Sequence, residues 1–361
     1  MKATSIQKGI FTIIATATLF SCSNNEADTV ETDPNETLFT SVLTDVSSKV
    51  IVETYGELNE KANTLKTALA TFASDPSEVN LNSAQQAWAD TRAPWEKSEG
   101  FLYGPVDTGG IDPAIDTWPV DVNAMNSILS GTDPITPGVL QSNNEARGFH
   151  LIEYLLWGVD SDKTVDQFTA RELEYLQAAA ADLQNNTQTL YDGWNTGDGN
   201  YVSNFIDAGK TGSVYSSQKT ALLELVGGLI AIADEVGNGK IADPLNAQGG
   251  SPQPQFEESR FSNNSKLDFA DNIRSIQNVY LGQFGSFQGN GLSNIVAQEN
   301  ASLDMEIKAS ITDAINSIEA IPGTFTDAIF NNRTAVSDAQ AKVLALKIVL
   351  ESKLEPLISG L

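Results

Sequence analysis

The sequence contains one histidine, His150, and Glu153 follows it three positions later. Residues spaced i and i+3 lie on one helix face, one above the other. A helix here would therefore project an imidazole and a carboxylate side by side. Leu151, Ile152, Leu155, Leu156 and Trp157 surround the pair and give enough apolar surface to bury such a helix. A buried carboxylate needs a counter-charge, a proton or a metal ion. One imidazole with carboxylates is a mixed, mostly hard donor set, better suited to iron or another transition metal than to structural zinc. The densest acidic and aromatic run lies upstream, from Trp88 to Trp118, and holds Asp90, Glu96, Glu99, Asp107, Asp112 and Asp116. Glu96 and Glu99 repeat the i, i+3 spacing, so two facing helices could each offer a pair. The same residues could equally form a solvated face with Arg92 and Lys97. Glu153 could be a buried ion pair with Arg92 or Arg147, and His150 a satisfied core residue.

A single imidazole excludes several catalytic designs. A His-Glu-x-x-His zinc helix needs two histidines, and so does an iron triad of two histidines and a carboxylate. A Ser-His-Asp triad could be built only on His150, and no Gly-x-Ser-x-Gly elbow occurs. A haem could take His150 as one axial ligand, with Met125, Met305 or a tyrosine as any second. A metal-dependent peptidase would need His150, Glu153, a third ligand and a water.

The elements that must position these groups are helical. Thr37 to Phe72 shows apolar residues at helical spacing, broken by Asp75-Pro76. A second helix starts at Ser77 and carries Trp88 and Arg92, and Pro94 should kink or restart it. The spacing predicts further helices over 122–129, 169–194, 216–236 (closed by Gly237), 267–280, 302–321 and 336–358. Segments 103–119 and 238–264 read as irregular, and Gly282 to Gly291 as a loop that could line a ligand. Gly193 to Gly212 reads as a domain junction. The expected fold is all-α, with an N-terminal helical bundle over 36–205 and a C-terminal one over 206–361.

Composition narrows the partners. The formal net charge of -26 over 361 residues repels phosphate backbones, which argues against nucleic acid and suits a protein that meets cations. Lys2 and Lys8 precede an apolar stretch from Ile10 to Phe20 that is too short to span a bilayer. Leu19-Phe20-Ser21-Cys22 ends in the chain's only cysteine and resembles a bacterial lipoprotein signal. Residues 1–21 would then be a cleaved signal peptide, Cys22 the lipidated residue, and 22–35 a tether. This implies a protein of the cell envelope, held to the membrane by its lipid.

Gly148-Phe-His150-Leu-Ile-Glu153 resembles the Gly-x-His-x-x-Glu motif of the imelysin family. Other blocks follow in the family's order. They are Trp88, Arg92 and Trp95-Glu-Lys-Ser-Glu99, then Ile115-Asp116-Thr-Trp118-Pro119, and later Ala233 to Ile241, Glu258-Ser259 and Asp268 to Ile273. The resemblance covers most of the chain from about Thr37 onward. It implies two bundle-like helical halves with a site near their junction, and a link to bacterial iron uptake with a transport partner not identified. It also implies the peptidase activity that gave the family its name, which a lone histidine weakens here. Carried over by motif, His150 and Glu153 would ligate metal or bond a ligand, with Glu96 and Glu99 as further oxygen donors. Gly148 would allow close helix approach, and Arg92, Trp95 and Asp116 would support the site. Iron is the expected ion, with haem or zinc as alternatives.

Overall fold

A computed structural model of the chain describes residues 34–195, 197 and 199–361, leaving aside the side chains of residues 34 and 247–249. The signal segment and Cys22 lie outside the described residues. In chain order the helices are α1 (Pro34–Asp45), α2 (Val52–Ser74), α3 (Glu78–Glu96), α4 (Pro105–Thr108), α5 (Asp112–Ile115), α6 (Val122–Ser130), α7 (Pro137–Leu140), α8 (Gly148–Trp157), α9 (Ala170–Trp194) and α10 (Ser203–Ile206). They continue as α11 (Gln218–Glu235), α12 (Ala242–Gly250), α13 (Ser265–Leu281), α14 (Leu292–Glu299), α15 (Ala301–Glu319), α16 (Phe325–Asn331), α17 (Arg333–Val349) and α18 (Glu355–Gly360). A hairpin of two two-residue strands, β1 (Gln283–Phe284) and β2 (Phe287–Gln288), follows α13. The fold is all-α. No helix among the described residues is long and apolar enough to cross a membrane.

Two groups of helices carry the packing. In one, α2 lies against α3 and α9, and α8 fits between α3 and α9. In the other, α15 packs on α13 and α17, and α11 on α13, α17 and α18. The groups are joined where α3 meets α13 and where α1 lies on α10, α11 and α14. Residues Pro34–Leu361 accordingly form one compact unit over a continuous apolar core. Ala178, Ala179 and Ala180 are buried at the centre of α9, the helix that packs against α2 and α8. The segment 193–212 is packed by aromatic rings, with Trp194 5.0 Å from Tyr201 and 5.8 Å from Phe205.

Several local expectations change. The first helical pattern is one rod from Pro34 to Ser74 that widens into a π-helical turn over Val46–Ile51. Pro94 does not restart α3, because it falls in the last turn. Asp90, whose carbonyl loses its helical donor there, is exposed. Gly237 does not close α11, since a π-helical turn over Val236–Lys240 carries the chain on towards α12. Segment 238–264 is thus partly helical, because Pro244 falls in the first turn of α12, where no helical N–H is required. The 282–291 segment forms the hairpin and packs on the first π turn, with Asp45 accepting from the backbone and side-chain amides of Asn290 at 2.8 and 2.9 Å. It does not line the site described next.

Candidate functional site

Each residue of the site is placed by a local device. Ser77 caps α3 by accepting from the Asn80 amide, and Trp88, Arg92 and Glu96 then recur every four residues along its buried face. The Trp88 indole donates to the Phe149 carbonyl at 2.9 Å, tying α3 to the start of α8. Gly148 opens α8 at φ +78, and a Cβ there would lie 2.4 Å from the Ile115 carbonyl oxygen. This position requires glycine, both for its left-handed backbone and for the approach of α5. Asp116 follows α5 directly and is fixed by the Trp95 indole, which donates to its Oδ2 at 2.6 Å.

These devices converge on His150, whose ring is fully buried. Its Nε2 lies 3.1 Å from Asp116 Oδ1 and 3.4 Å from Glu258 Oε1, yet has no well-aligned hydrogen bond among the described residues. Its Nδ1 faces Glu153 Oε2 at 3.2 Å. The other Glu153 oxygen accepts from the Ser262 amide and hydroxyl at 2.7 and 2.8 Å. The Trp118 ring stands edge-on to the imidazole at 5.0 Å. Glu153 therefore orients the ring from behind, and Asp116 and Glu258 share its front.

Arg92 lies buried at the centre. It reaches Asp116, Glu96 and Glu258 with its terminal nitrogens and Asp268 with Nε at 3.3 Å, above the Phe149 ring. Lys240, delivered by the π-helical turn after α11, meets Glu99 at 2.8 Å, Glu258 at 3.0 Å and Glu96 at 3.5 Å. Asn272 donates to Glu96 and Glu99 at 2.5 and 3.0 Å. Glu96 and Glu99 are thus buried in the cluster and do not form a solvated face.

The charges do not balance. Glu96, Glu99, Glu153, Glu258 and Asp268 are buried, and the Asp116 side chain is nearly so, against Arg92, Lys240 and one imidazole. Burial pushes Glu96 and Glu99 well above the usual carboxylate range, in Glu99 reinforced by Glu96. Burial also lifts Asp268 to about 6 despite Arg92. Burial acts in the same sense on Glu258 and Asp116, but Arg92 and His150, joined at Glu258 by Lys240, outweigh it and hold both carboxyls low. Burial and Arg92 oppose the charged form of His150, but the Asp116, Glu153 and Glu258 carboxylates prevail and raise it well above 6.5. Excess buried carboxylate is neutralised by protons, and a metal cation could replace them.

Among the described residues, two sets of side chains bring donor atoms within 4.8 Å of one another: Asp116, His150 and Glu258, and Glu96, Glu99 and Asp116. The first set combines one imidazole nitrogen with carboxylate oxygens, a donor chemistry that fits iron, and its Nε2 is the poorly satisfied atom. Asp116 and Glu258 also form the wall of a recess of about 300 Å³ whose other charged residues include Glu99, Asp112, Glu235 and Lys240.

The residues picked out by spacing and motif, His150, Glu153, Glu96, Glu99, Gly148, Arg92, Trp95 and Asp116, all lie in this one cluster. Glu258, Lys240, Asp268 and Asn272 were not singled out as site residues. Their blocks are visible, but a polar residue this far along the chain carries no local sign of facing His150.

Comparison with known proteins agrees with the fold. The family model described as Imelysin matches residues 51–352. The chain is 30% identical over 315 residues to iron-regulated protein A of Synechococcus elongatus, covering 86% of this chain and 84% of that protein. A crystal structure from Parabacteroides distasonis, provisionally described as an iron-regulated protein A precursor, superposes with a TM-score of 0.77 at 27% identity, covering 90% of this chain and 97% of that one. An imelysin-like protein from Psychrobacter arcticum shares the fold, with a TM-score of 0.74 at 13% identity over 91% of this chain and 97% of that one. With the Imelysin model matching residues 51–352, a relative 30% identical over most of both chains and the same fold in the solved structures, this chain belongs to the imelysin family.

Proposed function

We propose that this protein binds a transition-metal cation, iron foremost, through His150 Nε2, Asp116 and Glu258, and serves iron uptake from the cell envelope. The observation that carries the reading is the convergence of those three donors, with Asp116 and Glu258 at the wall of an acidic recess and His150 buried behind them. The resemblance to iron-regulated protein A supports iron over other ions. Glu153 would orient His150, as a carboxylate behind a metal-bound imidazole does. Arg92 would be the counter-charge that keeps the carboxylates together before a cation arrives. Each carboxylate has about four lone-pair directions, so Asp116 and Glu258 can serve both. The sequence of Cys22 supports attachment by lipid, with the described residues held off the membrane by the tether.

Haem fits this site less well. Nε2 faces two carboxylates beside a buried guanidinium, and the recess of about 300 Å³ is at the small end for organic ligands. Met305 is 65% exposed and Met125 is buried outside the cluster, so neither supplies a second axial ligand.

Equilibrium dialysis of the purified protein against ferrous, ferric and zinc ions tests the proposal. His150→Ala and Glu258→Gln should each weaken iron binding by at least ~10-fold, the order seen when a coordinating or orienting group is lost. Equal binding by the wild type and both variants would remove this site from the account. Labelling with a radioactive fatty acid, lost in Cys22→Ser, tests the anchor separately.

A further inference from the structure

The segment that carries Glu258 into the acidic cluster also carries Arg260 and Asn263 into a second recess, of about 460 Å³. No residue lines both recesses. Arg260 is anomalous in so acidic a chain. Arg92, Arg147, Arg171 and Arg274 all form ion pairs, and Arg333 donates to the Ile329 and Gly250 carbonyls and to Asn246. Arg260 has no ion pair or hydrogen bond among the described residues, and its buried Nε has no acceptor. Its guanidinium is held over the Phe261 ring, 4.6 Å from the centroid. Glu257 is nearby but bonds to Ser265 and Thr326 instead.

The walls add three further signs. Ser161 and Asn263 both adopt left-handed backbone, at φ 61 and φ 60, a conformation that costs energy away from glycine and clusters at ligand sites. Phe330, half exposed, offers an apolar surface with Val159 and Pro254. Asp160 and Asp327 contribute negative charge to the same recess. An Arg fork matches a carboxylate with two parallel hydrogen bonds, and an aspartate matches an ammonium. We propose that this recess binds a small zwitterion with an apolar side chain, an α-amino acid or a short peptide. Its carboxylate lies on Arg260, its ammonium towards the aspartates and its side chain against Phe330. The inference is independent of the metal reading, because it uses none of the residues assigned to the cation.

Calorimetric titration of the purified protein tests it with L-phenylalanine, the dipeptide Leu-Phe, N-acetyl-phenylalanine, phenylalaninamide and inorganic phosphate. One or both zwitterions should bind, which also distinguishes amino acid from peptide. The acetylated and amidated analogues should each bind at least ~10-fold more weakly, since each lacks one charged hydrogen bond. Arg260→Gln should abolish binding and Arg260→Lys weaken it. Asp160→Asn, at an exposed position, should weaken the zwitterions and leave N-acetyl-phenylalanine unchanged. His150→Ala should bind as the wild type does. Failure of both zwitterions at millimolar concentration, phosphate binding as tightly as they do, or full binding by Arg260→Gln would overturn the proposal.

Discussion

Lys240 and Glu258 meet at 3.0 Å, an ammonium from the π-helical turn after α11 against a carboxylate from the loop before α13. Lys240 lines the acidic recess, and Glu258 is one of the three donors of the set, with His150 and Asp116. The protein's own cation thus stands where an incoming one must approach. Buried charge clusters of this kind are sensitive to the loss of either sign, because the partner is left uncompensated.

Lys240→Met should therefore have two opposite effects. Without metal, Glu99 and Glu258 lose their ammonium, and the variant should be destabilised by about 3 kcal/mol. With ferrous ion present, the added ion replaces the missing charge, and the thermal midpoint should rise more in the variant than in the wild type. Thermal melts with and without metal measure both effects. A variant that is destabilised but shows no larger rise with metal would mean that Lys240 is only structural.

Glu153→Gln separates orientation from ligation. The amide keeps the shape of the side chain but removes the negative charge behind Nδ1, where Glu153 now lies 3.2 Å from the ring. Iron affinity should fall by ~10–100-fold, while Ser262 still finds an acceptor in the amide oxygen. Dialysis gives the affinity and a melt checks the fold. Unchanged affinity would show that the imidazole is held by packing against Trp118 alone.

How far the site could be read in the sequence follows from chain distance. Glu96 with Glu99, and His150 with Glu153, declare themselves by three-residue spacing, whereas Trp88, Arg92 and Trp95 are marked by the family's blocks. Asp116 and Gly148 needed the family's blocks, since nothing local announces that α5 touches the start of α8. Glu258, Lys240, Asp268 and Asn272 reach the cluster only through the packing of α3 on α13 and α11 on α13. The π-helical turn that aims Lys240 is hidden by Gly237, which reads as a helix stop but fits a widened turn. The helical fold was easier, because amphipathic spacing repeats over many residues.

Asp304 offers a pH test remote from the cluster. Burial would raise its carboxyl, but Lys308 at 2.8 Å, with the Ser293 and Tyr280 hydroxyls at 2.7 and 3.0 Å, holds it below its ordinary value. A depressed folded pKa binds the proton more weakly than the unfolded chain does. Its stabilisation is therefore present above about pH 4 and is lost as the pH falls through the folded value. Asp304→Asn should lower the thermal midpoint at pH 7 and show a smaller further loss than the wild type between pH 5 and pH 3. Parallel wild-type and variant profiles over that range would refute the assignment.

Gly148→Ala tests whether the site depends on the approach of α5 to α8. An alanine at φ +78 is strained, and its Cβ would meet the Ile115 carbonyl oxygen at 2.4 Å. A backbone contact cannot swing aside as a flexible side chain can, so α5 or the first turn of α8 must shift. Strain of this kind costs about 2 kcal/mol or more, and denaturant unfolding should show a loss of that order. Asp116, directly after α5, and His150, in the first turn of α8, should separate as the two elements move. Metal binding should then weaken even under conditions where the variant is fully folded, although neither donor has been changed. A folded variant with wild-type affinity would show that the Asp116–His150 distance is set elsewhere, by the Trp95 indole on Asp116 and by Glu153 on the imidazole.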